Sequence, residues 1–454
     1  SCAASLLSIS ASAAFVWTAP ILSHLLGPGS EVPMSAEESS WVVSIVYLGN
    51  ILMTVVAGHL VDVLGRKVCL LAAAPFLLVS WGLILATRSV AVLYVARILH
   101  GVTIGILWTV FPIYLGEISG AEIRATTGFF LIGAWYAGTL FEFSIGPYLS
   151  YQTYAWVSAS PVIAFIVTFV WMPESPYYCL MRGRVEEATA GLRWLRANED
   201  VTAELEAMRK SIQEEEASPS MVTSLKTLLT SEDGRTSLGI AIITYLIFVM
   251  SGGEAMFSYA PDMFRRAQDA TPGYTGMSPH EISILMASLV LFLAPFCGIT
   301  TDKLGRRPVF IVSSVGCTFF LILTTVYFYL LLETTTDLSS FRWLPYFTLI
   351  SYCLVVACGT ESIVPVLQAE VFSNECRGAG IGFSSMIGTI VSFLYLKMYE
   401  TVADHLGVHF LYGGFAIASA LGTLYIYYYV PETKGKTFAE IQELIAAKKR
   451  PRNS

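Results

Sequence analysis

Glu254 and Glu361 are acids set inside long apolar stretches of the chain. A carboxylate near the middle of a membrane-crossing helix costs about 2.5 to 3.5 kcal/mol on insertion scales, so it faces protein or a watery path. Such a pair can load and release protons, or hold a cationic or amine-bearing solute; the plainer alternative is that Glu254 bonds Ser251 or backbone freed around Gly252 and Gly253. Trp17, Tyr136, Ser251, Tyr259 and Thr360 stand at comparable depth, and with the two acids they form the candidate solute-binding set. The aromatic members suit packing equally well. Glu142 is expected near the rim of its apolar stretch, in water.

A second group of charged residues lies at the ends of apolar stretches, and it occurs twice. Gly58, Asp62, Gly65, Arg66 and Lys67 are answered by Gly298, Asp302, Gly305, Arg306 and Arg307, with Asp302 placed 240 residues after Asp62. Glu117 and Arg124, seven residues apart, are answered by Glu370 and Arg377 at the same interval. Pro173, Glu174, Ser175 and Pro176 are answered by Pro431, Glu432, Thr433 and Lys434. Matched carboxylate and arginine spacings predict ion pairs between helix ends, each worth about 1 kcal/mol when partly exposed. A few such pairs make a gate that can close and still open: Asp62, Arg66, Glu117, Arg124, Asp302, Arg306, Glu370 and Arg377.

The elements that position these residues follow from composition. Of 454 residues, 55% are hydrophobic and 13% charged, with a mean hydropathy of +0.63; a water-soluble fold is excluded. Twelve windows of about 20 apolar residues suit membrane helices: 1 to 25, 41 to 61, 69 to 87, 91 to 114, 126 to 147, 153 to 172, 237 to 259, 281 to 301, 308 to 331, 343 to 368, 379 to 397 and 408 to 430. The first lacks a basic flank, which favours a span over a cleaved signal, and residues are expected to precede Ser1. The expectation is an all-α membrane protein of twelve helices in two pseudo-symmetric six-helix halves, residues 1–173 and 237–430. Residues 174–236 form a cytoplasmic linker with short amphipathic helices, marked by Val185, Ala188, Leu192 and Leu195 and by Leu205, Met208 and Ile212. Residues 431–454 form a tail. Of 27 Lys and Arg, 21 fall on one side, which places both termini in the cytoplasm.

The Gly-Arg-Lys loop with its Asp, the Pro-Glu-Ser-Pro run and the Pro431 to Thr437 segment together resemble the sugar porter family of the major facilitator superfamily. The resemblance covers the whole chain, and Thr18, Ala19 and Pro20 are most like the insect facilitated trehalose transporters. It implies facilitative transport of trehalose or a hexose across the plasma membrane by alternating access, with no cofactor, no metal and no nucleic-acid partner. The family's sugar-binding amides are replaced, however. Ile132 stands for a Gln, Glu254 for an Asn, Val290 and Ser392 for Asn residues and Pro365 for a Trp. Each unpaired sugar hydroxyl costs about 1 to 3 kcal/mol, so another solute or another pose is implied. The alternatives are a carrier of a non-sugar solute, cationic or proton-coupled, and a non-transporting sensor. Ala14 stands where proton-coupled members carry Asp, which argues against their coupling route. His100 reads as a packed histidine and Gly101 with Gly105 as a close helix contact. No nucleophile elbow, phosphate loop or metal cluster is present in the sequence, so an enzyme is not expected.

Overall fold

The computed structural model describes residues 2–27, 29–120, 124–197, 200–216, 221–271, 273, 275–373, 376–436 and 438–449. Every apolar window lies on helix, and no strand occurs among the described residues. The first span runs Cys2–Val16 and resumes as Thr18–Leu25; the second is Ala36–Ser44 followed by Val46–Leu64. Arg66–Ala86, Val90–Ile118, Arg124–Ile145 and Tyr151–Phe169 are the third to sixth. The seventh is broken into Glu232–Met250 and Gly253–Ala270; Pro279–Leu304 and Arg306–Glu333 are the eighth and ninth. The tenth combines Leu344–Val355 with Glu361–Val371, and Arg377–His405 and Val408–Tyr429 complete the set. The fold expected from sequence, an all-α membrane protein with twelve helices in two matched halves, is the one observed.

The breaks have local causes. Pro20 has no amide hydrogen and its ring crowds the carbonyl four residues back, so the first span is interrupted at Trp17. Arg97, buried in the fourth span, bonds the carbonyls freed there: its Nη1 reaches Ala14 O and its Nη2 reaches Phe15 O at 3.1 Å. Gly252 breaks the seventh span with φ of 88°, a conformation that only glycine holds without strain. In the tenth, residues Val356–Thr360 form a turn of π-helix. The second span starts at Ala36, five residues before its apolar window, because Ser35 and Glu38 cap it: Glu38 Oε2 accepts from Ser35 N at 2.8 Å and Ser35 Oγ accepts from Glu38 N at 3.2 Å.

Two compact units arise from these helices. One comprises residues 1–15, 45–142 and 149–220, the other 16–44, 143–148 and 221–454. In the first unit, a Cβ on Gly101 would stand 1.8 Å from Val46 O and one on Gly105 would stand 2.9 Å from Asn50 O, so the close contact expected of that pair is made with the second span. The linker helices Val185–Arg196 and Thr202–Glu216 form as their periodicity predicts, with Ala188, Leu192 and Ile212 buried. Arg196 joins them to the bundle, donating to Ile118 O at 2.8 Å at the carbonyl end of the fourth span and to Glu204 at 2.7 Å. In the second unit, Thr18–Leu25 packs on Gly253–Ala270 and Ala36–Ser44 packs on the eleventh span.

Candidate functional site

The repeated motifs assemble two copies of one network. In the first unit Arg66, 4% exposed, directs Nε to both carboxylate oxygens of Glu117 at 3.1 and 3.0 Å and Nη2 to Glu117 Oε1 at 2.9 Å. Its Nη1 reaches Asp62 Oδ1 at 3.2 Å. Ser175 Oγ donates to Glu117, while Glu174 Oε1 accepts from the backbone amides of Lys67 at 3.0 Å and Ser175 at 2.8 Å. In the second unit Arg306 Nε reaches Glu370 Oε1 at 3.3 Å, and Thr433 Oγ1 donates to Glu370 Oε2 at 2.5 Å. Glu432 accepts from the amides of Arg306 and Arg307, both at 3.1 Å. Each Arg therefore bonds the Glu near the end of a later span, and each Pro-Glu motif holds the turn that begins the Arg helix. Both turns need glycine: Gly65 has φ of 98° and Gly305 of 100°, and a Cβ would lie 2.4 Å from Glu174 Oε2 and 2.7 Å from Glu432 Oε2. Every ion pair described here lies within one unit. The side chains of Arg124 and Asp302 lie outside the described residues. Arg377 is half-buried at the start of the eleventh span.

The candidate solute-binding residues separate into those committed to packing and the two acids. Tyr259 is buried, stacks on Tyr399 with ring centroids 4.0 Å apart and donates to Leu396 O at 3.3 Å. Thr360 Oγ1 bonds Val356 O at 3.2 Å along its own helix. Ser251 Oγ bonds Phe248 O at 3.0 Å, and the Ser251 carbonyl, freed by the Gly252 break, accepts from Tyr352 at 2.6 Å. Trp17 is buried at the break in the first span, and Tyr136 is buried in the fifth. Glu254 and Glu361 both belong to the second unit and both lie within electrostatic range of Tyr245, which bonds Thr389; Tyr395 is within range of Glu254. Each acid follows a helix break, Glu254 two residues after Gly252 and Glu361 directly after the π turn. Both acids thus stand at irregular backbone inside apolar spans.

Tyr245, Tyr395 and Thr389 were not legible as neighbours of these acids from type alone, since a tyrosine in a span usually packs. The signal that could have found Tyr245 is Gly388, where a Cβ would stand 2.0 Å from the Tyr245 ring; the glycine makes room for it. Glu142 corrects an expectation. It is not at a wet rim but 0% exposed, with Oε2 accepting from Ser158 Oγ at 3.1 Å and a further hydrogen bond to Tyr154. The sixth span supplies both hydroxyls, a pairing across helices that spacing within the fifth span cannot show. His100 is packed as expected, 4.9 Å from the Trp81 ring and bonded by Arg97 Nη1 at 3.2 Å.

Residues 9–445 match the family described as Sugar (and other) transporter. Among curated relatives, the facilitated trehalose transporter Tret1 of Bombyx mori is 28% identical over 92% of this chain and 82% of its own length. The Aedes aegypti protein of the same name is 28% identical over 92% of this chain, which spans only 51% of it. Among solved structures, the inward open xylose transporter XylE from E. coli superposes with a TM-score of 0.77 at 18% identity, covering 97% of this chain and 98% of that one. A peptide transporter of the POT family in complex with sulfate gives 0.68 at 13% identity, covering 97% and 94%.

Proposed function

The chain belongs to the sugar transporter family, and from that premise we propose that it carries trehalose or a hexose down its gradient by alternating access. It is a transporter and not an enzyme. The observation that carries the reading is the twofold network, Arg66 with Glu117 and Ser175 and Arg306 with Glu370 and Thr433, because matched halves are what a rocking carrier moves. Residues 1–173 and 237–430 are the halves, joined by 174–236 and followed by the tail. The face bearing the repeated motifs is assigned to the cytoplasm from its Lys and Arg, with both termini there, and the membrane to the plasma membrane. The eight motif residues gate that face in the alternate state.

Passive transport is supported by the first span. Arg97 is held there by the carbonyls of Ala14 and Phe15. A second reading, a cationic or proton-coupled solute, is favoured by two acids, Glu254 and Glu361, set at helix breaks of one unit and within electrostatic range of Tyr245. Uptake of radiolabelled trehalose into proteoliposomes, with and without a pH gradient, tests both. Saturable uptake indifferent to the gradient is expected. Uptake that the gradient drives and Glu254→Gln abolishes rejects passive transport in favour of the second reading.

A further inference from the structure

The face opposite the repeated motifs carries a contact that neither the repeat nor the solute site uses. Helix Ala36–Ser44 opens the second span, and its Ser39, Ser40 and Ser44 are all buried although each carries a hydroxyl. Two charged side chains of the eleventh span take up two consecutive hydroxyls. Ser39 Oγ stands 2.6 Å from Glu400 Oε2, and Lys397 Nζ donates to Ser40 Oγ at 2.6 Å and to Glu37 O at 3.2 Å. Trp41 follows the two serines in sequence, with Lys397 Nζ 4.8 Å from its ring centroid and the Phe393 ring 5.8 Å away. Both partners belong to one compact unit, although one comes from the first six spans and the other from the last six.

The chemistry of this contact differs from that of a structural ion pair. Glu400 is 4% exposed, and the group that donates to it is a hydroxyl rather than a cation; its Oε1 is buried with no hydrogen bond among the described residues. The nearby charges are themselves engaged. Asp262 accepts from Arg266 Nε at 2.6 Å, and Arg266 Nη1 reaches Asp404 at 2.7 Å. A carboxyl oxygen left dry in the closed arrangement regains water when the helices part, which lowers the cost of opening.

We propose that Ser39, Ser40, Lys397 and Glu400 form a releasable clasp that shuts the face opposite the repeated motifs, and that its release is a required step of transport. The proposal rests on the alternating-access reading, and its four residues are positioning residues that touch no solute. It is tested in the full chain carrying Ser44→Cys, a near-isosteric reporter at a buried position of the same helix. Labelling by a membrane-impermeant maleimide is followed by peptide mass, which separates the reporter from the eight native cysteines. Glu400→Ala is expected to raise the labelling rate by about tenfold or more, and Lys397→Met by less. Glu400→Gln, which keeps an acceptor within reach of Ser39, restores the slow rate. An unchanged rate in monodisperse Glu400→Ala protein overturns the clasp. Should that variant fail to fold, Ser39→Ala removes the same bond; it is expected to raise the rate about threefold, and no rise overturns the clasp equally. Trehalose uptake measured in parallel keeps the two ideas apart. Uptake with unchanged labelling sinks the clasp alone, whereas altered labelling without uptake by the unmutated chain sinks the solute assignment alone.

Discussion

In the repeated networks, Arg66 meets Glu117 inside one compact unit and Arg306 meets Glu370 inside the other; at the far end of the eleventh span from Arg377, Glu400 and Lys397 reach Ser39 and Ser40 of the second span. The first kind of contact pairs full charges in bidentate or multiply bonded geometry, turn by turn within a bundle. The second pairs one charge with one hydroxyl and brings together helices far apart in the chain. The paired charges are multiply bonded, whereas the clasp leaves one carboxylate oxygen of Glu400 without a hydrogen bond among the described residues.

Removing Arg66 tests the stiff side most severely. Arg66→Ala strands Glu117 and is expected to lower stability by about 3 to 5 kcal/mol, seen as the largest fall in thermal unfolding midpoint of the series. An unchanged midpoint would mean that the network frames nothing. Gly65→Ala comes next: a side chain at φ of 98°, pressed on Glu174, is expected to cost about 2 kcal/mol by the same assay. Arg306→Ala should cost less than Arg66→Ala, about 1 to 2 kcal/mol, because the Arg306 and Glu370 side chains are 17% and 25% exposed and water takes over part of their bonding. Equal losses for the two arginines would show that burial does not set the difference between the copies. The smallest effect belongs to the opposite face, where Ser40→Ala removes one acceptor of Lys397 and is expected to cost about 0.5 to 1.5 kcal/mol. Its midpoint should hardly move, whereas labelling at Ser44→Cys should quicken; a fall as large as that of Gly65→Ala would erase the contrast.

How far these regions were readable before the fold was known depends on where their partners lie in the chain. The twelve helices are visible because an apolar run long enough to span is rare in any other setting. The Arg66 and Arg306 networks are visible because charges are scarce and their order repeats. The second unit's acids were visible singly, but that both lie within electrostatic range of Tyr245 was not, since Tyr245, Glu254 and Glu361 come from three separate helix segments. Glu400 and Lys397 escaped notice for a related reason. Near a helix end a charge is ordinary, and nothing in the eleventh span reports that two serines, 361 and 357 residues away, will be set against it. Glu142 misled because position in an apolar window measures depth along a helix and says nothing of which neighbour covers its side chain.

The π turn at Val356–Thr360 hides a residue. One surplus residue is wound into the tenth span there, and the wider turn takes it up within about the sweep that one residue fewer makes in an ordinary coil. Deleting one of those five residues would therefore tighten the turn and leave Glu361 and the helix beyond it facing nearly the same way. Adding or deleting a residue just outside the turn would instead swing everything that follows by about 100°.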